Sequence, residues 1–345
     1  MANKLAAPPD RATVAGSSAP AESAAPPAHR RSLASLFKTR NRALAREIAT
    51  LERAVDLPST ILIVGESGTG KDRLARALHD ASSRPDRPFV RIDAANLSDE
   101  LFESELFGHE RGAFTGAVAS KRGLLEMAGD GTAYLDEASS LSPAAQAKFL
   151  RVLQEKTFRR LGGVASHPFR ARLIVSSRRD LAAMVEEGAF RADLFYRIDV
   201  VSIRLPPLSQ RREDVLPLAR EFARNAARSF ERPARRFDPD AERALLRHPW
   251  PGNVRELLHV VERAVLAAPQ EEISAGDLPH GSIGSPEAIL AAAVEERWTL
   301  RELTDVYIEE TLRRAGGNRT LAAKRLGVSR KSLWERGKKK NDGER

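Results

Sequence analysis

The chain has no cysteine among its 345 residues. Disulfides and thiolate zinc sites are therefore excluded, and nothing argues for an oxidising compartment. Long apolar runs are missing as well. None approaches the roughly 18–20 residues needed to cross a bilayer, and the N-terminus lacks the hydrophobic core of a signal peptide. These absences lead to the expectation of a cytoplasmic protein with no membrane partner. Residues 1–30 are rich in alanine and proline and nearly devoid of bulky apolar side chains. Such a segment cannot bury enough surface to offset the ordering of its backbone, so a disordered tail is expected up to residue 32.

What is present reads as globular: 42% of residues are hydrophobic and 30% charged. The length suggests two or three domains. The formal net charge of +9 is unevenly placed. Residues 313–345 carry twelve Lys/Arg against three Asp/Glu, so this tail holds the whole excess and residues 1–312 balance. Segregated positive charge points to a polyanionic partner for the tail, with a solvated basic terminus as the plain alternative.

From Ser32 to Leu57 the pattern is helical, with Leu33, Leu36, Leu44, Ile48 and Leu51 facing inward and Pro58 as its end. Ile61-Leu62-Ile63-Val64 is a continuous apolar run rich in β-branched residues, the signature of a strand buried on both faces. It runs into Gly65-Glu66-Ser67-Gly68-Thr69-Gly70-Lys71-Asp72, which has phosphate-loop spacing. The glycines let backbone N–H groups converge on phosphates, the following helix presents its positive end, and Lys71 reaches the β- and γ-phosphates of ATP. The general motif places Ser or Thr after the lysine to bind Mg²⁺. Asp72 stands there instead, as a candidate metal ligand acting directly or through water.

A second buried strand, Thr132-Ala133-Tyr134-Leu135, ends in Asp136-Glu137. Paired with the phosphate loop, Asp136 is expected to hold Mg²⁺ and Glu137 to polarise the attacking water. The bland alternative is a helix cap. Leu173-Ile174-Val175 is a third buried strand, ending in Ser176-Ser177-Arg178. Beyond it Arg191 and Arg197 are candidates to stabilise charge on a transferring phosphoryl group across a subunit boundary, although single arginines more often make surface salt bridges. Pro206-Pro207 marks a boundary, after which residues 208–268 read as wholly helical. Asn253 and Glu256 have the spacing of a capping-box variant. Val254, Leu257, Leu258, Val261 and Val265 share one apolar face, which leaves Arg255 free to point towards nucleotide. Residues 276–286 are rich in Gly, Pro and Ser and read as a linker.

The last segment has the pattern of a compact helical unit. Leu300, Leu303, Tyr307, Ile308 and Leu312 fit one long helix, and Asn318 can cap a short one bearing Leu321, Ala322 and Leu326. After a turn at Gly327, Ser329 can cap a final helix beginning Arg330-Lys331-Ser332. This is a helix-turn-helix pattern for double-stranded DNA. Arg330, Lys331 and Arg336 are candidates for base or phosphate contact, and Lys338, Lys339 and Lys340 for non-specific phosphate contact.

Between the phosphate loop and the acidic strand end lies Gly112-Ala113-Phe114-Thr115-Gly116-Ala117. A phenylalanine on a glycine-bracketed tip either touches something outside the chain or folds back into a tight turn.

With these motifs in order, from about Leu44 to Gly337, the chain resembles the bacterial enhancer-binding proteins, the AAA+ activators of RNA polymerase carrying sigma-54. The resemblance rests on Gly65–Asp72, on Glu105-Leu106-Phe107-Gly108-His109-Glu110 leading into Gly112–Ala117, and on residues 131–137. It extends through Arg191/Arg197, residues 250–257 and Gly317-Asn318-Arg319. It implies an α/β fold: an AAA+ phosphate-loop NTPase with a parallel sheet, a helical lid and a separate all-α helix-turn-helix domain. The expected boundaries are 33–207 for the ATPase core, 208–272 for the lid, 273–297 for a linker and 298–345 for DNA binding.

The implied cofactors are ATP and Mg²⁺, bound by Gly65, Glu66, Ser67, Gly68, Thr69, Gly70, Lys71, Asp72, Ser177 and Arg255. The implied partners are the sigma-54 RNA polymerase holoenzyme, met by the whole hexapeptide with Phe114 and Thr115 in contact, and upstream DNA, met by Arg319, Ser329, Arg330, Lys331, Ser332 and Arg336. Further copies of the chain are implied as well, as dimers assembling to a hexameric ring. Lys71, Asp136, Glu137, Arg191 and Arg197 are the implied catalytic set. Only 60 residues precede the first strand, which suggests the subclass controlled by a regulatory protein in trans, by a co-activator or by abundance.

Five residues depart from the family pattern. Asp72 stands for Glu, Ser177-Arg178 for Thr-Asn, and Asp93 for an asparagine that restrains the catalytic glutamate. Gly337 replaces a bulky apolar residue. They lead us to expect a slower or differently gated ATPase and weaker DNA affinity. The alternative reading is a DNA-binding regulator whose degenerate ATPase acts as an ATP-dependent oligomerisation switch.

Overall fold

The computed structural model describes residues 31–95, 99–232, 236–268, 271–278, 293–294, 298–314 and 318–329. Helices α1 (Leu33–Leu36) and α2 (Arg42–Glu52) are capped by Ser32 and Asn41, whose side chains accept from Ser35 N and Leu44 N. They lead into β1 (Ile61–Val64) and α3 (Lys71–Asp80). Next come β2 (Phe89–Asp93), α4 (Asp99–Phe107) and an antiparallel pair, β3 (Gly108–His109) with β4 (Lys121–Arg122). They are followed by α5 (Leu124–Ala128), β5 (Thr132–Asp136), α6 (Pro143–Glu155), and the antiparallel pair β6 (Thr157–Arg159) and β7 (Ser166–Pro168). Strand β8 (Arg172–Ser177), α7 (Leu181–Glu186), α8 (Ala192–Ile198) and β9 (Val201–Arg204) complete this part.

The central sheet has the order β2-β5-β8-β1-β9, with every pairing parallel. Alternation along each strand builds two cores. Leu62, Val64, Ala133, Leu135, Leu173 and Val175 face one layer, against α4–α8. Ile61, Ile63, Tyr134, Ile174 and Ile203 face the other, against α1, α2 and α3. Because all strands run the same way, their C-terminal ends share one edge. That edge is where open parallel sheets bind ligands, and it carries Gly65, Asp93, Asp136 and Ser177.

The region after Pro207 is not wholly helical. It holds α9 (Val215–Ser229), β10 (Arg236–Phe237), α10 (Pro239–Arg247), α11 (Asn253–Ala267) and β11 (Glu272–Ile273). Strand β10 pairs in parallel with β11, a two-residue ladder too short to produce a legible alternation. Trp250 and Leu257 anchor a separate core here.

Helices Leu300–Arg314 and Arg319–Leu326 follow, the second capped by Asn318, whose side chain accepts from Thr320 N and Leu321 N at 3.1 Å. Ile308, Leu312 and Leu326 pack on Ala322 and Ala323, whereas Leu300 and Tyr307 are exposed and stand outside this small core. The second helix is too short to cover the whole length of the first. Arg330, Lys331, Ser332, Arg336 and Gly337 lie outside the described residues, as do residues 1–30 and residues 279–286 of the expected linker.

Candidate functional site

Strand β1 delivers Gly65–Gly70 directly onto the start of α3, whose N-cap, Gly70, takes a left-handed conformation with no side-chain cap. The first-turn N–H groups therefore face the loop without a side-chain acceptor, the arrangement that suits a phosphate. Lys71 is buried, and its Nζ donates to Gly65 O at 2.8 Å and Glu66 O at 3.1 Å. Burial lowers its pKa, against the opposing pull of Glu137, Asp136 and Asp72.

The acidic strand end lies beside this loop. Asp136 accepts from Ser176 Oγ at 2.5 Å, from Tyr134 OH at 3.0 Å and from Arg91. Burial works to raise the Asp136 pKa, but the Ser176 hydrogen bond, the Arg91 charge and the Tyr134 hydroxyl outweigh it and hold the carboxyl below the usual range. Glu137 adopts φ +61°, in the left-handed region that a non-glycine residue rarely occupies. Its backbone N–H donates to Ser176 Oγ, while its carboxylate accepts from the Ser139 hydroxyl and from Arg178 N at 3.0 Å. Asp93 Oδ1 accepts from Ala95 N at 2.9 Å.

Of the tandem serines, Ser176 reaches the acidic pair. The Ser177 hydroxyl donates to Arg179 O instead, and Ser177 meets the phosphate loop through its carbonyl, which accepts from Gly65 N at 3.1 Å.

The lid closes on the loop from the other side. Arg255 Nη1 donates to Ser67 Oγ at 2.9 Å, as its position off the apolar face predicts. Sequence reasoning read Asn253 only as a helix cap and missed its contact with the loop. Its amide Nδ2 donates to Ser67 O at 3.0 Å and Glu66 Oε2 at 3.1 Å, and its Oδ1 accepts from Leu208 N at 2.7 Å. Glu256 does reach back, but to Gly252 N at 2.9 Å, so the capping partner is Gly252 rather than Asn253. The approach is close: a Cβ on Gly68, at φ +73°, would lie 2.4 Å from Gly252 O. Arg211 was missed too. It is 3% exposed, donates to Thr69 O, and lies 3.8 Å from Asp214. Asp214 in turn accepts from Thr39 Oγ1 at 2.6 Å and from Arg40 N.

Arg191 and Arg197 stand apart from this cluster, both exposed, the first at the N-cap of α8 and the second in its last turn. Arg191 is engaged by Asp193 at 2.8 Å, and Arg197 Nη2 donates to Leu153 O at 3.2 Å.

The hexapeptide forms an exposed turn rooted in the core. Gly112 N donates to Ala117 O at 2.9 Å, and Ala117 N to Phe114 O at 3.0 Å. Phe114 is 43% exposed and rests edge-on against His109 at 5.0 Å between ring centroids, so it does not enter the core. The β6–β7 hairpin braces the stem: Glu110 N donates to Leu161 O, and Leu161 N to Gly108 O. Arg160 locks it further, bonding Glu126 at 2.9 Å and Glu110 at 3.0 Å. Arg319 and Ser329 are exposed on the terminal helical unit. Among the described residues no helix is long and apolar enough to cross a membrane.

Comparison with known proteins gives the same reading from outside. Residues 37–204 match the sigma-54 interaction domain, 209–288 the AAA+ ATPase lid domain, and 299–339 the bacterial regulatory proteins of the Fis family. The transcriptional regulatory protein ZraR of Klebsiella oxytoca is 46% identical over 275 residues, covering 80% of this chain and 62% of that protein. The regulatory protein AtoC of Escherichia coli K12 is 44% identical, covering 80% of this chain and 61% of that protein. The chain thus spans just under two thirds of the length of these relatives. The crystal structure of NtrX from Brucella abortus in complex with ATP is similar with a TM-score of 0.64 at 36% identity, covering 87% of this chain and 68% of that one. With all three domain matches in chain order, the protein belongs to the sigma-54-dependent AAA+ activators, the bacterial enhancer-binding proteins.

Proposed function

We propose that the chain is a transcriptional activator that hydrolyses ATP to remodel sigma-54 RNA polymerase and open promoters while bound to upstream DNA. The observation that carries this reading is the exposed Phe114 turn, rooted in an ATPase core between the phosphate loop and the acidic strand end. Lys71 would bind the β- and γ-phosphates, Glu137 would orient and polarise the attacking water, and Arg255 would report the nucleotide state to the lid. Asp136 and Asp72 offer hard carboxylate oxygens beside the loop. Among the described residues no group of three or more His, Cys, Asp or Glu could hold a metal alone. Two carboxylates completed by phosphate oxygens and water suit Mg²⁺, which rarely occupies an all-protein cage. When bound, the metal would neutralise charge on the phosphates.

Arg191 and Arg197 donate to their own chain's Asp193 and Leu153 rather than to its phosphate loop, which suits arginines that act on a neighbour's nucleotide in a ring, read here as a hexamer. In this reading residues 33–207 form the core, 208–272 the lid, 273–297 a linker and 298–345 the DNA-binding unit. Arg319, Ser329, Arg330, Lys331, Ser332 and Arg336 would meet DNA.

ATP turnover by the purified chain, compared with Lys71→Ala and Glu137→Gln, tests the enzymatic core. The expected outcome is clear turnover by the native chain, none by Lys71→Ala, and a loss on the order of 10²–10³-fold in Glu137→Gln with ATP binding retained. Native rates equal to those of Lys71→Ala would favour an oligomerisation switch with a degenerate ATPase.

A further inference from the structure

Arg91 has no part in the nucleotide-site reading, yet it sits at its centre. It is the middle residue of β2, an edge strand, and its side chain is 50% exposed. The guanidinium straddles the two candidate metal carboxylates: Nη1 lies 3.3 Å from Asp72 Oδ2, and Nη2 is hydrogen-bonded to Asp136 Oδ2. Tyr134 OH lies between the same two groups, 2.7 Å from Asp72 Oδ1 and 3.0 Å from Asp136 Oδ1. A hydroxyl has one proton and can donate to only one of them at a time. Two carboxylates this close repel when both are ionised, and a planar cation with a fork of donors is the side chain best shaped to hold them together.

Each of the four carboxylate oxygens faces a donor. Asp136 Oδ2 is taken by Arg91, and Oδ1 by Ser176 and Tyr134. Asp72 Oδ1 shares the single Tyr134 proton with Asp136 Oδ1, while Oδ2 faces Arg91. A divalent cation meeting these carboxylates, directly or through its own waters, meets the guanidinium charge and competes with it at both Oδ2 atoms. Arg91 can yield them, because an edge-strand side chain half in solvent has room to swing out.

We infer that Arg91 is a built-in counter-cation that competes with Mg²⁺ for Asp72 and Asp136, so that the nucleotide site closes around metal and nucleotide only at a raised Mg²⁺ concentration. The inference rests on the reading of this site as one that takes a Mg²⁺-nucleotide. It makes Arg91 a gate on metal loading rather than a catalytic residue.

The test reads binding, not turnover. A fluorescent ADP analogue is held at fixed concentration with the full chain, and MgCl₂ is titrated to find the midpoint at which the nucleotide tightens. Arg91→Gln keeps hydrogen-bonding capacity but removes the charge, and its midpoint is expected at about ten-fold lower Mg²⁺, equivalent to about 1.4 kcal/mol. Arg91→Lys keeps the charge but loses the fork, and its midpoint is expected between the two; it also serves if the glutamine variant does not fold. A midpoint equal to or above the native value in either variant overturns the inference while leaving the Mg²⁺-nucleotide reading intact. Native binding that responds to nucleotide but not to Mg²⁺ would overturn both.

Discussion

Asn253 shows how much one side chain can join. Its amide donates to the phosphate loop at Ser67 O and Glu66 Oε2, and its carbonyl oxygen holds Leu208 N at the entrance to the lid. The residue is fully buried and adopts φ +55°, a left-handed conformation that asparagine tolerates better than most residues. Asn253→Ala would leave the Leu208 N–H buried without its acceptor, at a cost of roughly 1–3 kcal/mol. Urea unfolding should show that loss together with weakened nucleotide binding. A variant with native stability and native affinity would mean that the amide only fills space.

Lys71, Asp136, Glu137 and Arg255 were legible because local spacing announces them. The site contacts of Asn253, Arg211, Ser176 and Arg91 were not. The Asn253 and Arg211 contacts with the loop span 187 and 142 residues of chain, and no periodicity within a window reports a pairing of that kind.

The same division holds for elements. Strands β1, β5 and β8 are internal to the sheet and read as continuous apolar runs. Strands β2 and β9 escaped sequence reading because they are edges: Arg91, Ser202 and Arg204 interrupt them with polar side chains. The exposed Phe114 turn owes its stance to neighbours rather than to its own residues. Arg160, only 17% exposed at its side chain, ties Glu126 in the middle of α5 to Glu110 at the loop stem. Burial works to raise the Glu126 pKa, but the hydrogen bonds of Arg160 and Arg122 and their charges hold it below the ordinary 4.5. A depressed carboxyl stabilises the fold above its unfolded pKa, and that stability is lost as pH falls through the folded value. Unfolding measured from about pH 6 down to about pH 3 should therefore show a shallower acid loss in Glu126→Gln than in the native chain. Parallel curves would remove this bridge from the account of the loop.

For the whole molecule, the central sheet brings one cleft together. Its C-terminal edge supplies the phosphate loop and the acids, and the lid reaches over through Asn253, Arg211 and Arg255. The Phe114 turn lies outside that cleft, so in the proposed function nucleotide chemistry and polymerase contact occupy different surfaces of one chain, while the terminal helices reach the rim of the cleft through Glu302, 3.7 Å from Arg178. That separation was already implied by the order of motifs, while the bracing of the turn by β6–β7 and the closure of the lid needed the fold. It also means that the functions can be cut apart. The most direct measurement is open-complex formation at a sigma-54 promoter, with ATP and the full chain, in native protein and Phe114→Ala, alongside ATP turnover of both. The account predicts that Phe114→Ala forms no open complex while turning over ATP at close to the native rate. Native promoter opening by Phe114→Ala would contradict it.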